Sequence, residues 1–444
     1  MKALRPIDRI QKSLRNAKVL QEHLNSFVIF QDDEILGRQA LECEVRFEQK
    51  NMKSAIDGLP IGIKDNFCTK NLRTTCCSKI LEPFVPKYNA TVVERTEIAG
   101  GIVLGKTNMD EFGMGSGTID SLYGPVKSLW RSGVVPYELK ELPSLNQSDF
   151  QIQTDAIESG DFCIAGGSSG GSAMAVSSGV CFAALGSDTG GSLRIPGAWS
   201  GLPTLKPSYG LLSRHGLIPL VNSLDVPGIF ARSFDDLAVY LNILKGEDDN
   251  YDSTSVDINC DNSTYIENEE LMKDIVIGIP QEYYCEDMSN EVIETWSQVA
   301  DMLENERIKV VPVSLPHTKY SISCYQVLNP CEVASNMSRY DGIEYGHRST
   351  EMSSTEALLQ SVRHHGFNDV VKGRILAGNY FLLREHYNEY FEQALKVRRL
   401  VSQDFHNAFQ KVDLLLTPVT LSDAPRFSDF CSSDNHTQTA KHDY

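Results

Sequence analysis

Long apolar runs are missing from this 444-residue chain. The longest, Ala173 to Leu185, is interrupted by Ser and Gly and falls well short of the roughly 20 residues that cross a bilayer, so no membrane is expected as a partner. Positive charge is scarce too: 41 Lys and Arg stand against 59 Asp and Glu, a net charge of −18. Non-specific nucleic-acid affinity comes from basic side chains neutralising phosphates, so such a chain would need a partner to hold a nucleic acid. Paired cysteine spacings are absent. The eleven cysteines are scattered without a C-x-x-C, and only Cys76 and Cys77 are adjacent, which reads as free thiols in a reducing compartment and leaves sequons such as Asn89-Ala90-Thr91 unused. Neither Gly/Ser-rich stretch, 165–172 or 186–192, carries G-x-x-x-x-G-K-[ST] or G-x-G-x-x-G, which counts against either kind of nucleotide cradle there. The ten histidines, His215, His364 and His365 among them, stand in no telling context, and no metal site is expected.

What is present is ordinary globular composition, 41% apolar and 23% charged, arranged as alternating strand and helix patterns. Strands are predicted at 26–31, 58–65, 101–106, 274–280 and 307–315, with a further one in "DLLLTPV". Helices are predicted at 37–50, 89–100, around "VIETWSQVADMLENE", and at 381–410. Alternation of this kind implies an α/β fold with a parallel or mixed sheet. One domain over 1–444 is expected, with exposed insertions at about 127–162 and the acidic 246–273. The basic N-terminus (Lys2, Arg5, Arg9, Lys12, Arg15, Lys18) fits either an organellar targeting segment or an amphipathic first helix burying Ile7, Ile10, Leu14 and Leu20.

The chemistry concentrates in two Gly/Ser-rich loops, "AGGSSGGS" (165–172) and "GSDTGGS" (186–192), on either side of the small-residue segment "SAMAVSSGVCFAAL", which reads as a helix. Glycines let a loop turn several backbone amides inward, where they can hold an anion or an oxyanion. Three readings stand: a phosphate cradle, a G-x-S-x-G nucleophile elbow at Gly167–Gly171, or plain surface turns. A serine nucleophile needs a base. Lys64 follows the apolar "LPIGI", so its amine could be carried inside and held neutral.

"GGSSGGS" (166–172), "GSDTGGSLRIPG" (186–197) and the upstream "GLPIGIKDNF" (58–67), in that order and with Ser168 and Ser192 spaced 24 residues apart, resemble the amidase signature family. The resemblance implies a mixed central sheet flanked by helices on both faces and a Ser–cis-Ser–Lys triad. Ser192 would be the nucleophile, Ser168 the bridging serine and Lys64 the base. Backbone amides of Thr189, Gly190, Gly191 and Ser192 would form the oxyanion hole, leaving Cys163, Ser169 and Ser172 to pack or cap.

"GKTNMDEFGMGSG" (105–117), "KPSYGLLSRHGLIPLVNSLDVPGI" (206–229) and "ASNMSRYDGIEYGHRS" (334–349) are similar, within the family, to the glutamine-hydrolysing subunits of tRNA-dependent amidotransferases. That likeness implies glutamine as substrate, with Arg374 at its carboxylate, Tyr325 beside it and Asp443 at its ammonium. It implies no cofactor in this chain, a B-type partner that uses ATP and Mg and carries the tRNA, a small C-type partner, and a place in the mitochondrial matrix. It also implies further strands and a helix beyond Tyr444, so the C-terminal end is expected to be incomplete. A stand-alone amidase for another small or fatty amide, and a non-catalytic assembly subunit, remain as alternatives.

Overall fold

Alternating side chains give the central sheet two buried faces. The computed structural model describes residues 4–130, 134–136, 150–152, 161–258, 274–350, 353–432 and 437. Strands β1 (Phe27–Phe30), β2 (Pro60–Lys64) and β3 (Ile102–Thr107) precede a small ribbon of β4 (Val134–Pro136) with β5 (Phe150–Ile152); β6 (Ala183–Asp188), β7 (Thr204–Leu205) and β8 (Val226–Ala231) follow. The six-stranded sheet runs β1-β3-β2-β6-β8-β7. Its β2 pairs parallel with β3 and β6, and the remaining pairings are antiparallel, so the sheet is mixed.

Neighbouring strand residues face opposite ways. Ile102, Leu104, Ala184 and Phe230 pack with α1 (Pro6–Leu24), α2 (Asp33–Glu48) and α4 (Gly170–Ser177), and the short α5 (Arg194–Trp199) follows β6. Ile61, Ile63, Val103, Leu185 and Ile229 pack on the other side with α3 (Thr91–Ile98) and α6 (Phe234–Leu244). The basic N-terminus folds as α1, with Ile10 and Leu20 buried and Ile7 and Leu14 packed against the same core.

A register shift between Ile61 and Gly62 leaves an extra residue in β3, so Ile63 sits opposite Lys106 and Lys64 opposite Thr107. Paired residues share a face, which places Lys64 and Lys106 on opposite sides of the sheet.

Several expectations are corrected. The small-residue segment is not one helix: α4 stops at Ser177, Gly179 takes φ +73, and β6 begins at Ala183. A glycine just past the C-cap is the usual helix stop. The long helix expected at 381–410 breaks around a π-turn at Asn388–Glu392, and Gln393–Ala408 continues it. The first part of the acidic insertion, 246–258, is exposed over most of its length but is anchored through three buried residues. Asp248 accepts from the hydroxyls of Thr91 and Ser213, each at 2.6 Å, and Asp248, Asp252 and Ser255 are buried. Most of 127–162, and 259–273, lie outside the described residues.

Contacts divide the chain into two compact units. The first comprises Met1–Ile258, Asn336–Lys372 and Ala424–Thr439 and holds the six-stranded sheet; the second comprises Asn259–Ser335, Gly373–Asp423 and Ala440–Tyr444. The second carries a parallel sheet ordered β10 (Lys309–Val313), β9 (Val276–Pro280), β11 (Leu414–Leu415) and the amphipathic helix Asn290–Asn305, N-capped by Ser289.

Candidate active site

Lys64 ends β2, and the apolar residues before it carry its amine into the interior, where the side chain has no exposed surface. Its Nζ lies 2.8 Å from Ser168 Oγ, 3.0 Å from Ser187 Oγ and 3.2 Å from the Ser187 carbonyl oxygen. Three oxygens suit an ammonium with three N–H donors. After loss of a proton the same amine can keep both Ser187 contacts as a donor and offer its lone pair to the Ser168 hydroxyl. Burial brings the Lys64 amine down to about 7, with Asp110, Asp188 and Asp225 pulling the other way. The Asn66 amide donates to Ser187 Oγ at 2.9 Å and holds that hydroxyl in place.

Ser168 follows Gly167 through a cis peptide and opens onto α4. The close approach here demands glycine: a Cβ on Gly171 would collide with the Asn108 nitrogen and lie 2.5 Å from the Ser26 carbonyl oxygen. The two loops meet beside this point, where the Ser169 N–H donates to the Ser192 carbonyl at 3.2 Å.

The second loop is organised by Asp188. Its carboxylate accepts from the Gly191 N–H at 2.9 Å, the Leu193 N–H at 3.0 Å and Arg194 Nη2 at 2.8 Å. Burial pushes this acid up, but the Arg194 guanidinium and the amides outweigh it and leave it at about 2. The Gly191 N–H was expected in the oxyanion hole; here it serves Asp188. Thr189, Gly190 and Ser192 are half-buried, and the Thr189 hydroxyl donates to Asp225 at 2.6 Å. A small cavity is lined by Asn66, Ser168, Ser187, Thr189 and Asp225, with Phe112, Gly113, Leu217, Ile218 and Leu220 as its wall.

Other sequence candidates fall elsewhere. Ser172 bonds the Thr107 hydroxyl at 2.6 Å and the Leu185 carbonyl at 2.9 Å. Ser169, the central serine of the elbow pattern, donates to the Ser187 carbonyl, and His215 stacks on Tyr251 with ring centroids 4.4 Å apart; neither is paired as an elbow requires. In the second unit the buried Asn329 joins Tyr325 and Arg374, donating to Tyr325 Oη at 2.9 Å and accepting from Arg374 at 3.4 Å. Asp443 lies outside the described residues.

A family profile described as Amidase matches residues 8–136 and 161–443. The chain belongs to the amidase family. Among curated relatives of this amidase, the A-type subunit of the mitochondrial glutamyl-tRNA(Gln) amidotransferase of Aedes aegypti is 52% identical over 447 residues, covering 99% of this chain and 84% of that protein. Its Homo sapiens counterpart is 48% identical over 439 residues, covering 99% and 81%. Among solved structures, the A-type subunit of the glutamyl-tRNA(Gln) amidotransferase of Thermotoga maritima superposes with a TM-score of 0.73 at 31% identity, covering 99% of this chain and 81% of that one. The mixed α/β fold expected for an amidase is the one observed.

Sequence reasoning missed four residues of this amidase site: Ser187, Asn66, Asp110 and Asp225. Ser187 stood inside the quoted "GSDTGGS", where a hydroxyl two residues after a buried apolar strand residue was the available signal. Nothing in the local pattern of Asp110 or Asp225 separates them from surface acids.

Proposed function

We propose that this chain is the glutamine-hydrolysing subunit of a tRNA-dependent amidotransferase of the glutaminyl-tRNA synthase type. The observation that carries the reading is the buried Lys64 amine 2.8 Å from the Ser168 hydroxyl, with a titration near neutrality. A lysine so placed is neutral often enough to accept a proton, which a surface lysine is not.

Ser192 attacks the side-chain amide carbon of glutamine. Its proton passes to Ser168 as the Ser168 proton passes to Lys64, and the carbonyl oxygen becomes an oxyanion held by the backbone amides of Thr189, Gly190 and Ser192. One oxyanion donor contributes roughly 3–4 kcal/mol in other enzymes. Collapse expels ammonia, protonated from the Lys64–Ser168 relay, and leaves a glutamyl ester on Ser192. Water then attacks that ester, regenerates the serine and releases glutamate. Tyr325, Arg374 and Asp443 would hold the substrate's carboxylate and ammonium.

The ammonia goes to a B-type partner that activates Glu-tRNA(Gln) with ATP and Mg, assisted by a small C-type partner. The names of the relatives support this assignment, and the net charge of −18 fits a chain that leaves tRNA binding to its partner. Their mitochondrial naming and the free-thiol cysteines support the matrix.

The test is ammonia release from glutamine by the chain assembled with its partner subunits, beside the Ser192→Ala form. Release that disappears in the variant while assembly persists is expected; release near the unsubstituted rate from Ser192→Ala would refute the nucleophile.

A further inference from the structure

We propose that Asp110 is a positioning residue for the Lys64–Ser168 pair: its carboxylate seats the first Gly/Ser loop from behind and places a negative charge near the amine. The proposal rests on the glutaminase reading above.

Asp110 lies just beyond β3 and has no exposed surface. A following turn wraps its carboxylate in backbone donors: the Thr118 N–H reaches Oδ2 at 2.9 Å, and the N–H groups of Ile119 and Asp120 reach Oδ1 at 2.9 and 3.0 Å. The same turn grips the loop. Thr118, at φ 52, donates its hydroxyl to the Gly166 carbonyl at 2.7 Å and accepts the Gly170 N–H at 3.0 Å. Between these anchors the carboxylate touches the loop itself, since a Cβ on Gly167 would collide with Asp110 Oδ2. The contact therefore runs from Asp110 through Gly167 to Ser168 and Lys64.

The charges facing Lys64 are those of Asp110, Asp188 and Asp225, together with the Cys76 thiol. Asp188 is neutralised by Arg194 at 2.8 Å. Asp225 is held by the Thr189 hydroxyl and the Leu220 and Val221 N–H groups. Burial pushes the Cys76 thiol well up, so it stays neutral. Asp65, the neighbour of Lys64 in sequence, turns to Lys106 at 3.5 Å. Among the described residues Asp110 has no ion-pair partner, and it exerts the largest upward pull on Lys64. Its own carboxyl is pushed up to about 7 by burial and by repulsion from Asp120, against the backbone donors that favour the anion. A buried lysine without such help can fall to about 5–6, where it becomes a weak base. Asp110 keeps Lys64 basic enough to take a serine proton and still neutral in part near pH 7.

The experiment is the pH dependence of kcat/KM for ammonia release in the assembled complex. Lys64 must be neutral to act, so activity rises with pH through its titration. In Asp110→Asn the upward pull is gone, and the acidic limb moves to lower pH by about one unit, with a lower plateau from the weaker base. A purely structural role would lower the plateau and leave the limb in place. An unmoved limb, with release still dependent on Ser192, overturns the proposal and leaves the glutaminase reading standing. Release that survives Ser192→Ala overturns that underlying reading instead. Should Asp110→Asn fail to fold, Asp120→Asn serves: without the Asp120 charge, Asp110 stays anionic to lower pH and the limb moves upward. An unmoved limb there overturns the proposal equally.

Discussion

Lys64 and Lys106 make a controlled comparison within one sheet. Both are wholly buried, and they lie on adjacent strands, offset by one register position on opposite faces. Burial lowers both amines. Their neighbours differ. Lys106 has a carboxylate, Asp65, at 3.5 Å, with the Phe67 carbonyl and the Thr74 hydroxyl each at 2.7 Å; Asp65 is fixed in turn by Thr75 and the Cys77 N–H. Lys64 has hydroxyls and a carbonyl, and among the described residues no ion-pair partner. A paired buried lysine is locked as a cation and serves the fold. One surrounded by neutral oxygens can lose its proton without stranding a partner's charge, and it serves chemistry. Burial alone does not make a lysine a base: among the described residues Lys64 has no carboxylate paired directly with its amine, as Lys106 has in Asp65, and feels acidic charge only at one remove.

Exchange of each lysine for methionine tests this from two sides, and the largest effect is expected on activity. Lys64→Met should lower the rate of ammonia release by about 10³-fold or more, as loss of a member does in other nucleophile–base units. Its thermal stability should hold or rise, because a costly buried amine gives way to an apolar chain of similar length. Lys106→Met should do the reverse. It strands Asp65 as an uncompensated buried charge, a loss of about 3–5 kcal/mol read as a lower midpoint in denaturant. Equal destabilisation by the two substitutions would break the distinction.

The same contrast explains what was legible beforehand. The sheet and its flanking helices follow from period-2 and helical patterning, and β2, β3 and β9 stand close to where the apolar runs place them. Lys64 and the two loops were legible because glycine clusters and an apolar strand ending in lysine leave local marks. The end of α4 was missed because Gly179 sits inside a run of small residues that suits helix and strand alike. Lys106 and Lys64 each close an apolar strand pattern, "GIVLGK" and "LPIGIK", and nothing local tells the structural one from the chemical one. The distinction depends on Asp65, Ser168 and Ser187, and the two serines come from 104 and 123 residues away from Lys64. The register shift that sends the two lysines to opposite faces is also invisible in the sequence, where one extra strand residue costs nothing.

The smallest expected effect falls in the second unit, where a comparable question arises for a polar cluster. Asn329 is buried on helix Ser321–Met337 and joins Tyr325, one turn earlier, to Arg374 on helix Asp369–Leu382. Its amide donates on one side and accepts on the other, so a single side chain sets the spacing of two groups assigned to glutamine. Asn329→Ala removes both hydrogen bonds and leaves Tyr325 and Arg374 themselves intact. Each bond contributes about 1 kcal/mol, so the loss of both corresponds to a rise in KM for glutamine of up to roughly thirtyfold. The turnover number should hold, because the substitution leaves Lys64, Ser168 and Ser192 unchanged. Asn329→Asp separates orientation from charge: an added carboxylate still accepts from Arg374 but repels the substrate carboxylate, so KM should rise further than in the alanine form. A fall in turnover without a change in KM would remove Tyr325 and Arg374 from the substrate site and leave the cluster a structural one, as Lys106 and Asp65 are.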